Sequence, residues 1–263
     1  MVTNYSEEGQ GDVSLSSLFH DDVELLPPLT ECKLDNHVLL RPLLYKLWIA
    51  CHILKLGHEA RFASLVTLHR YYAYSAGNEA LAWKWIGAAC IVIGCKMEET
   101  TRRLRDIINV AIMLDFSLQH SNDSTITIQS QPPDLNAAYW KAKEELVSTE
   151  QAVLRVLAFE VTISHPHRLV KILLEQNSIQ ESDQQSALLP IAWRRLNDAL
   201  FWAPALTHSA MGLAMAAIQL SKDELDAFPL QTKVLTQFGV DEKSFQRTIS
   251  DLKKATAALY ESE

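Results

Sequence analysis

The sequence predicts an all-α protein built as two tandem bundles of five helices. Two observations carry this. Apolar residues recur at spacings of three and four from Leu39 almost to the end of the chain, and no stretch reads convincingly as a strand. Two helices rich in small residues, WKWIGAACIVIGCK (83–96) and SAMGLAMAAIQLSK (209–222), are apolar nearly all round and end in Lys. A helix apolar on every side belongs at the centre of a bundle, and each of these is the third of five.

Residues 1–36 come first and have no sustained period. They carry Pro27-Pro28 and eight acids against Lys33, whereas the remainder of the chain holds 23 bases and 24 acids. They are expected to form a disordered acidic arm. Helices are expected near 41–56, 59–75, 80–98, 103–116 and 137–158, with Pro42 in the first turn of the first, where proline is tolerated. A polar insert, SLQHSNDSTITIQSQPPDLN (117–136), parts the fourth from the fifth; its TITI has no partner strand. Pro166 of SHPHRLVKILLE then suits the first position of a new helix. Four more are expected near 183–202, 205–221, 229–237 and 241–260. The predicted organisation is an arm (1–36), a first bundle (37–161) and a second (162–263).

The 263-residue length suits two domains. No apolar run reaches the roughly 20 residues that span a bilayer. Cys51, Cys90 and Cys95 lie in apolar segments, and no C-x-x-C pair occurs. Free thiols in a reducing compartment are the expectation. The body is neutral, unlike the basic surface of a nucleic-acid binder. No H-E-x-x-H, P-loop, G-x-G-x-x-G or G-x-S-x-G occurs. His165 and His167 flank the helix-starting proline and read as structural. Glu98 and Glu99 are adjacent, so on a helix they diverge. Neither metal, cofactor nor an activity of the chain's own is expected, and function falls to surfaces.

The segment GCKMEETTRRLRDIINV (94–110) is such a surface. Lys96, Met97, Glu98 and Glu99 end a helix whose body is apolar, and Arg102, Arg103 and Arg105 open the next. Cations at a helix N-terminus oppose its dipole, so contact with a partner or with nearby acids is expected of them.

Four motifs in order resemble the cyclin family. GCKMEE resembles the cyclin-box pattern A-x-K-x-E-E. RRLRDIINV resembles the matching segment of transcription-type cyclins of the L and Q types. STEQAVLRVLAFEV resembles the family's fifth helix, and TISHPHRLV the start of the second box. The resemblance spans roughly 39–260 and implies two five-helix cyclin boxes, the bundles already predicted. It implies a regulatory subunit, not an enzyme, that binds and activates a cyclin-dependent kinase by gripping the kinase's C helix. It implies that Lys96 and Glu150 hydrogen-bond to the kinase, with Met97, Glu99, Leu154, Phe159 and Val161 around them and Arg102, Arg103 and Arg105 as secondary contacts. The short length favours the Q type, which implies a kinase like cyclin-dependent kinase ten in a heterodimer located in the nucleus, with the cytoplasm as a second place. Neither nucleic acid nor membrane is implied. The alternative is a cyclin-fold scaffold that binds proteins without activating a kinase. The pattern departs from cell-cycle cyclins at His69, where those carry Asp, and RPLLYKLW has no recognisable substrate-docking patch.

Overall fold

The computed structural model describes residues 37–75, 83–120, 137–176, 182–225, 230 and 232–260. The chain order is α1 (His37–Ile53), α2 (His58–Tyr74), α3 (Trp83–Met97), α4 (Leu104–His120), α5 (Ala137–Val156), α6 (Pro166–Gln176), α7 (Ser182–Ala199), a 3-10 turn (Ala203–Thr207), α8 (Ala210–Glu224), α9 (Thr232–Gln237) and α10 (Glu242–Tyr260). Every expected helix is present, and among the described residues there is no strand. The arm 1–36 and residues 121–136 of the expected insert lie outside the described residues.

Two hydrophobic cores form. The first gathers α1 to α5 and the second α6 to α10. As their composition predicts, α3 and α8 are the axles: every residue from Trp85 to Cys95 and from Gly212 to Ser221 is buried. Around α3 pack α2, α5, α4 and α1; around α8 pack α7, α10 and α6. Small residues set how closely the neighbours approach. A Cβ placed on Gly94 would lie 2.9 Å from both the Ala60 carbonyl oxygen and the Ser64 backbone nitrogen of α2. Only glycine lets the two helices meet there.

Three boundaries differ from expectation. Helix α1 begins at His37, so Pro42 sits inside it; Pro190 is likewise inside α7. Both prolines are exposed, so water can satisfy the carbonyl that each leaves unbonded. Helix α4 runs on to His120, because Leu118 and Gln119 are good helix formers and no Gly or Pro stops them. The expected helix 205–221 is split. Pro204 stands near the start of the 3-10 turn, and Ser209 then caps α8 by accepting from the Gly212 amide at 3.1 Å.

The bundles share a seam. Leu200, at the end of α7, is buried in the first core, and Phe201 packs edge-on to Trp48 at 5.8 Å. His69, 2% exposed, places Nε2 2.7 Å from the Leu200 carbonyl oxygen, and Arg70 donates to the Thr162 carbonyl. The departure from the cell-cycle pattern at His69 therefore falls at a bond between the bundles. Nearby, His58 and His167 meet edge-to-face with ring centroids 3.9 Å apart, and Phe62 and Trp193 pack against them. Burial pushes the His58 and His167 pKa values down to about 4 and about 2, so both rings are neutral at pH 7.

Candidate functional site

The charged corner after Gly94 is a helix C-terminus held in a six-residue closing turn. The Thr100 amide donates to the Cys95 carbonyl and the Glu99 amide to that of Lys96, with Glu99 at φ 50°. This is the Schellman arrangement, in which a left-handed residue re-aims the chain and satisfies the last carbonyls. Helices α1 and α5 end the same way, with Lys55 at φ 51° and Ala158 at φ 48°. None of the three is glycine, so each carries backbone strain of about 1 kcal/mol. Phe159 is left-handed too, at φ 62°, and 65% exposed.

The ends of α3 and α5 lie side by side. Lys96 Nζ donates to Glu150 Oε1 at 2.5 Å. The lysine is mostly exposed, whereas the glutamate side chain is only 12% exposed. A pair this open contributes little to stability, about 0–1 kcal/mol. Its effect is positional, because each partner keeps spare capacity: two further N–H groups on Lys96 and a second oxygen on Glu150.

Met97, Leu154 and Val161 are half-buried and pack against the first core. Glu99 is exposed beside Lys96 and turns away from Glu98, which points inward. His165 Nε2 donates to Glu98 at 2.7 Å and Arg168 donates to its other oxygen at 3.4 Å. Glu98 thus ties the end of α3 to the start of α6, where Pro166 occupies the first helical position as predicted. Of the expected site residues, the structure pairs Lys96 with Glu150; Met97 and Leu154 lie in the last turns of α3 and α5, and Glu99, Phe159 and Val161 follow just past those ends.

The arginines divide. Arg102 donates from Nε to the Leu54 carbonyl at 3.0 Å and from Nη2 to that of Lys55 at 2.7 Å. Its charge faces the C-terminus of α1, where a cation is favoured. This corrects the expectation that local stability does not explain the basic residues here: Arg102 closes the helix two elements back. Arg103 and Arg105 stand at the start of α4, Arg103 exposed and Arg105 half-buried. Three features had no visible sequence signal: the Glu98–His165–Arg168 tie, the His69 bond and the left-handed helix ends. Their partners are far apart in the chain, or lack glycine.

Residues 29–162 match the family model described as "Cyclin, N-terminal domain". Similar proteins include Cyclin-L1 of Xenopus laevis, 28% identical over 209 residues, which is 79% of this chain and 39% of the relative. Cyclin-L1 of Homo sapiens is 28% identical over 196 residues, 74% of this chain and 35% of the relative. The chain thus spans well under half the length of these relatives. Among solved structures, the yeast RNA Pol II CTD kinase CTDK-1 complex matches with a TM-score of 0.67 at 18% identity, covering 84% of this chain and 66% of that one. A viral cyclin from herpesvirus saimiri matches at 0.61 and 18% identity, covering 90% and 93%. At such identities the structural matches speak to the fold.

Proposed function

The chain belongs to the cyclin family, and from that premise we propose that it binds and activates a cyclin-dependent protein kinase of the transcription-related branch by clamping the kinase's C helix. One observation carries the reading. Lys96 and Glu150 are paired on the ends of two helices whose bodies are locked in the first core, and Phe159, just past the end of α5, is exposed. Charges fixed by a rigid core give a partner helix its register, and an exposed aromatic beside them gives it something to bury against.

An active kinase needs its C-helix glutamate paired to a strand lysine. A protein that binds only the arrangement with that pair formed shifts the kinase toward it. The chain itself supplies no catalytic group in this scheme. Support for a kinase partner comes from the CTDK-1 complex, described as a kinase complex, whose cyclin-fold chain this one resembles. Support for the transcription-related branch comes from the L-type relatives. A kinase like cyclin-dependent kinase ten and a nuclear location complete the proposal.

The test is co-expression of the full chain with each transcription-branch cyclin-dependent kinase, followed by purification and assay of phosphate transfer to a peptide. The reading expects a stoichiometric complex whose kinase is at least tenfold more active than the kinase alone. A stable complex with unchanged activity would favour the scaffold alternative instead.

A further inference from the structure

The turn that closes α3 contains a left-handed residue that is not glycine, Glu99 at φ 50°. Such a conformation persists where the surroundings over-determine it. At the end of α1 the hold is plain: Arg102 donates to the carbonyls of Leu54 and of left-handed Lys55. At the end of α3 the hold is Glu98, one residue before Glu99. Both of its oxygens are taken, Oε1 by His165 at 2.7 Å and Oε2 by Arg168 at 3.4 Å. Arg168 also reaches Glu59 of α2, Nε to Oε1 at 3.9 Å.

The other side of this tie is a fixed point. The His165 side chain is only 4% exposed, and its ring lies 5.2 Å from that of Phe62, centroid to centroid. Its carbonyl accepts the Arg168 and Leu169 amides that open α6. Pro166 follows with its backbone angle locked by its own ring, and Leu169 and Val170 are buried in the second core. Lys96 belongs to the turn that is tied: it lies two residues before Glu98, and its carbonyl accepts the Glu99 amide. Groups that fix a contact residue from behind determine how accurately its charge is placed.

We propose that Glu98, His165 and Arg168 are positioning residues for the kinase contact, through which the second bundle sets the pose of Lys96. The proposal rests on the reading of this corner as the kinase site. It goes beyond that reading by giving a part to the second bundle, which holds none of the expected contact residues. It also separates the two adjacent glutamates. Glu99 is exposed and free to face a partner, whereas Glu98 has both oxygens engaged within the chain.

The test uses the full chain with ¹³Cε-labelled lysine, the Lys96 NMR signal being assigned by its loss in Lys96→Arg. Glu98→Ala, and His165→Phe, which removes the donor but keeps a ring, are expected to move that signal toward its position in Glu150→Gln. Glu98→Gln can still accept from His165 and should leave it in place. His208→Phe breaks the His208–Asp251 pair in the second bundle. It controls for lost stability and should leave the signal unmoved. With cyclin-dependent kinase ten as the probe, Glu98→Ala should weaken binding about tenfold. In a chain that already carries Lys96→Ala it should weaken binding by less than about twofold further, because residues that act through one contact are not additive. An unmoved Lys96 signal in Glu98→Ala, an equal movement in His208→Phe, unchanged kinase affinity in Glu98→Ala, or the full loss on top of Lys96→Ala would overturn the proposal. A Lys96→Ala chain that binds the kinase as well as the unmodified one would instead remove the kinase reading, while the Lys96 signal in the free chain still decides whether the second bundle sets its pose.

Discussion

Two glycines of α3, Gly87 and Gly94, isolate what close helix packing contributes to this fold. Each is replaced by alanine. Both sit inside the same helix, so both substitutions gain about 1 kcal/mol of helix propensity. Their surroundings differ. A Cβ at Gly87 meets only the tip of Leu47, at an ordinary 3.6 Å. A Cβ at Gly94 meets the Ser64 side-chain oxygen and two backbone atoms of α2, the latter at 2.9 Å. The hydroxyl can rotate, at the loss of its bond to the Ala60 carbonyl. The backbone atoms cannot, so α2 and α3 must separate. Overpacking of this kind costs about 1–3 kcal/mol, and a backbone clash belongs at the upper end. Gly87→Ala is therefore expected to stabilise the chain by about 1 kcal/mol, and Gly94→Ala to destabilise it by about 2 kcal/mol. Melting temperatures should rise by about 2–4 °C in the first and fall by about 4–8 °C in the second. Circular dichroism melts of both variants beside the unmodified chain are sufficient. A Gly94→Ala protein as stable as the unmodified one would refute the close approach of α2 to α3.

Acid should weaken the fold through His167, which is 1% exposed and held neutral with its pKa near 2. The unfolded chain takes up that proton near pH 6.5 while the native one does not, so the stability is fully present above pH 6.5 and lost as pH falls, by about 2 kcal/mol at pH 5. Melts at pH 7.5 and 5 should show the loss, and His167→Phe should reduce it without removing it, because His58, its pKa pushed down to about 4 by burial, keeps a share of its own; an unaltered pH response in that variant would contradict the assignment. Phe159→Gly should relieve the left-handed backbone and stabilise the free chain by about 1 kcal/mol, while weakening the kinase complex about 30-fold if the exposed ring is an anchor. Unchanged affinity by titration calorimetry would remove Phe159 from the interface. Arg102→Ala should cost about 1 kcal/mol by uncovering the Leu54 and Lys55 carbonyls, and an unchanged denaturant midpoint would show that water replaces the guanidinium at no cost.

What was legible in the sequence was mostly periodic. The axles α3 and α8 announce themselves because a helix buried on every side has no polar face. The start of α6 is legible because Pro166 has few other places to stand. Helix ends were harder. The turns at Lys55, Glu99 and Ala158 use residues that conceal a left-handed backbone, and the glycine signal that marks such turns is absent from them. Contacts across the seam were not legible. His69 meets a carbonyl 131 residues away, and Glu98 meets His165 67 residues away; both are selected by packing, which no local pattern encodes. Only the family resemblance points to Lys96 and Glu150. Their pairing with each other, 54 residues apart, is a property of the fold alone.

That pairing offers the most direct test of the central claim. The double variant Lys96→Glu/Glu150→Lys reverses the pair while leaving an opposite charge across the same gap, so the free chain should fold and melt as before. Its affinity for the cognate kinase, and the kinase activity recovered with it, should fall by at least tenfold, because the partner would meet each charge in the other's place. Full activation by a folded, charge-swapped chain would contradict the claim that this corner holds the kinase.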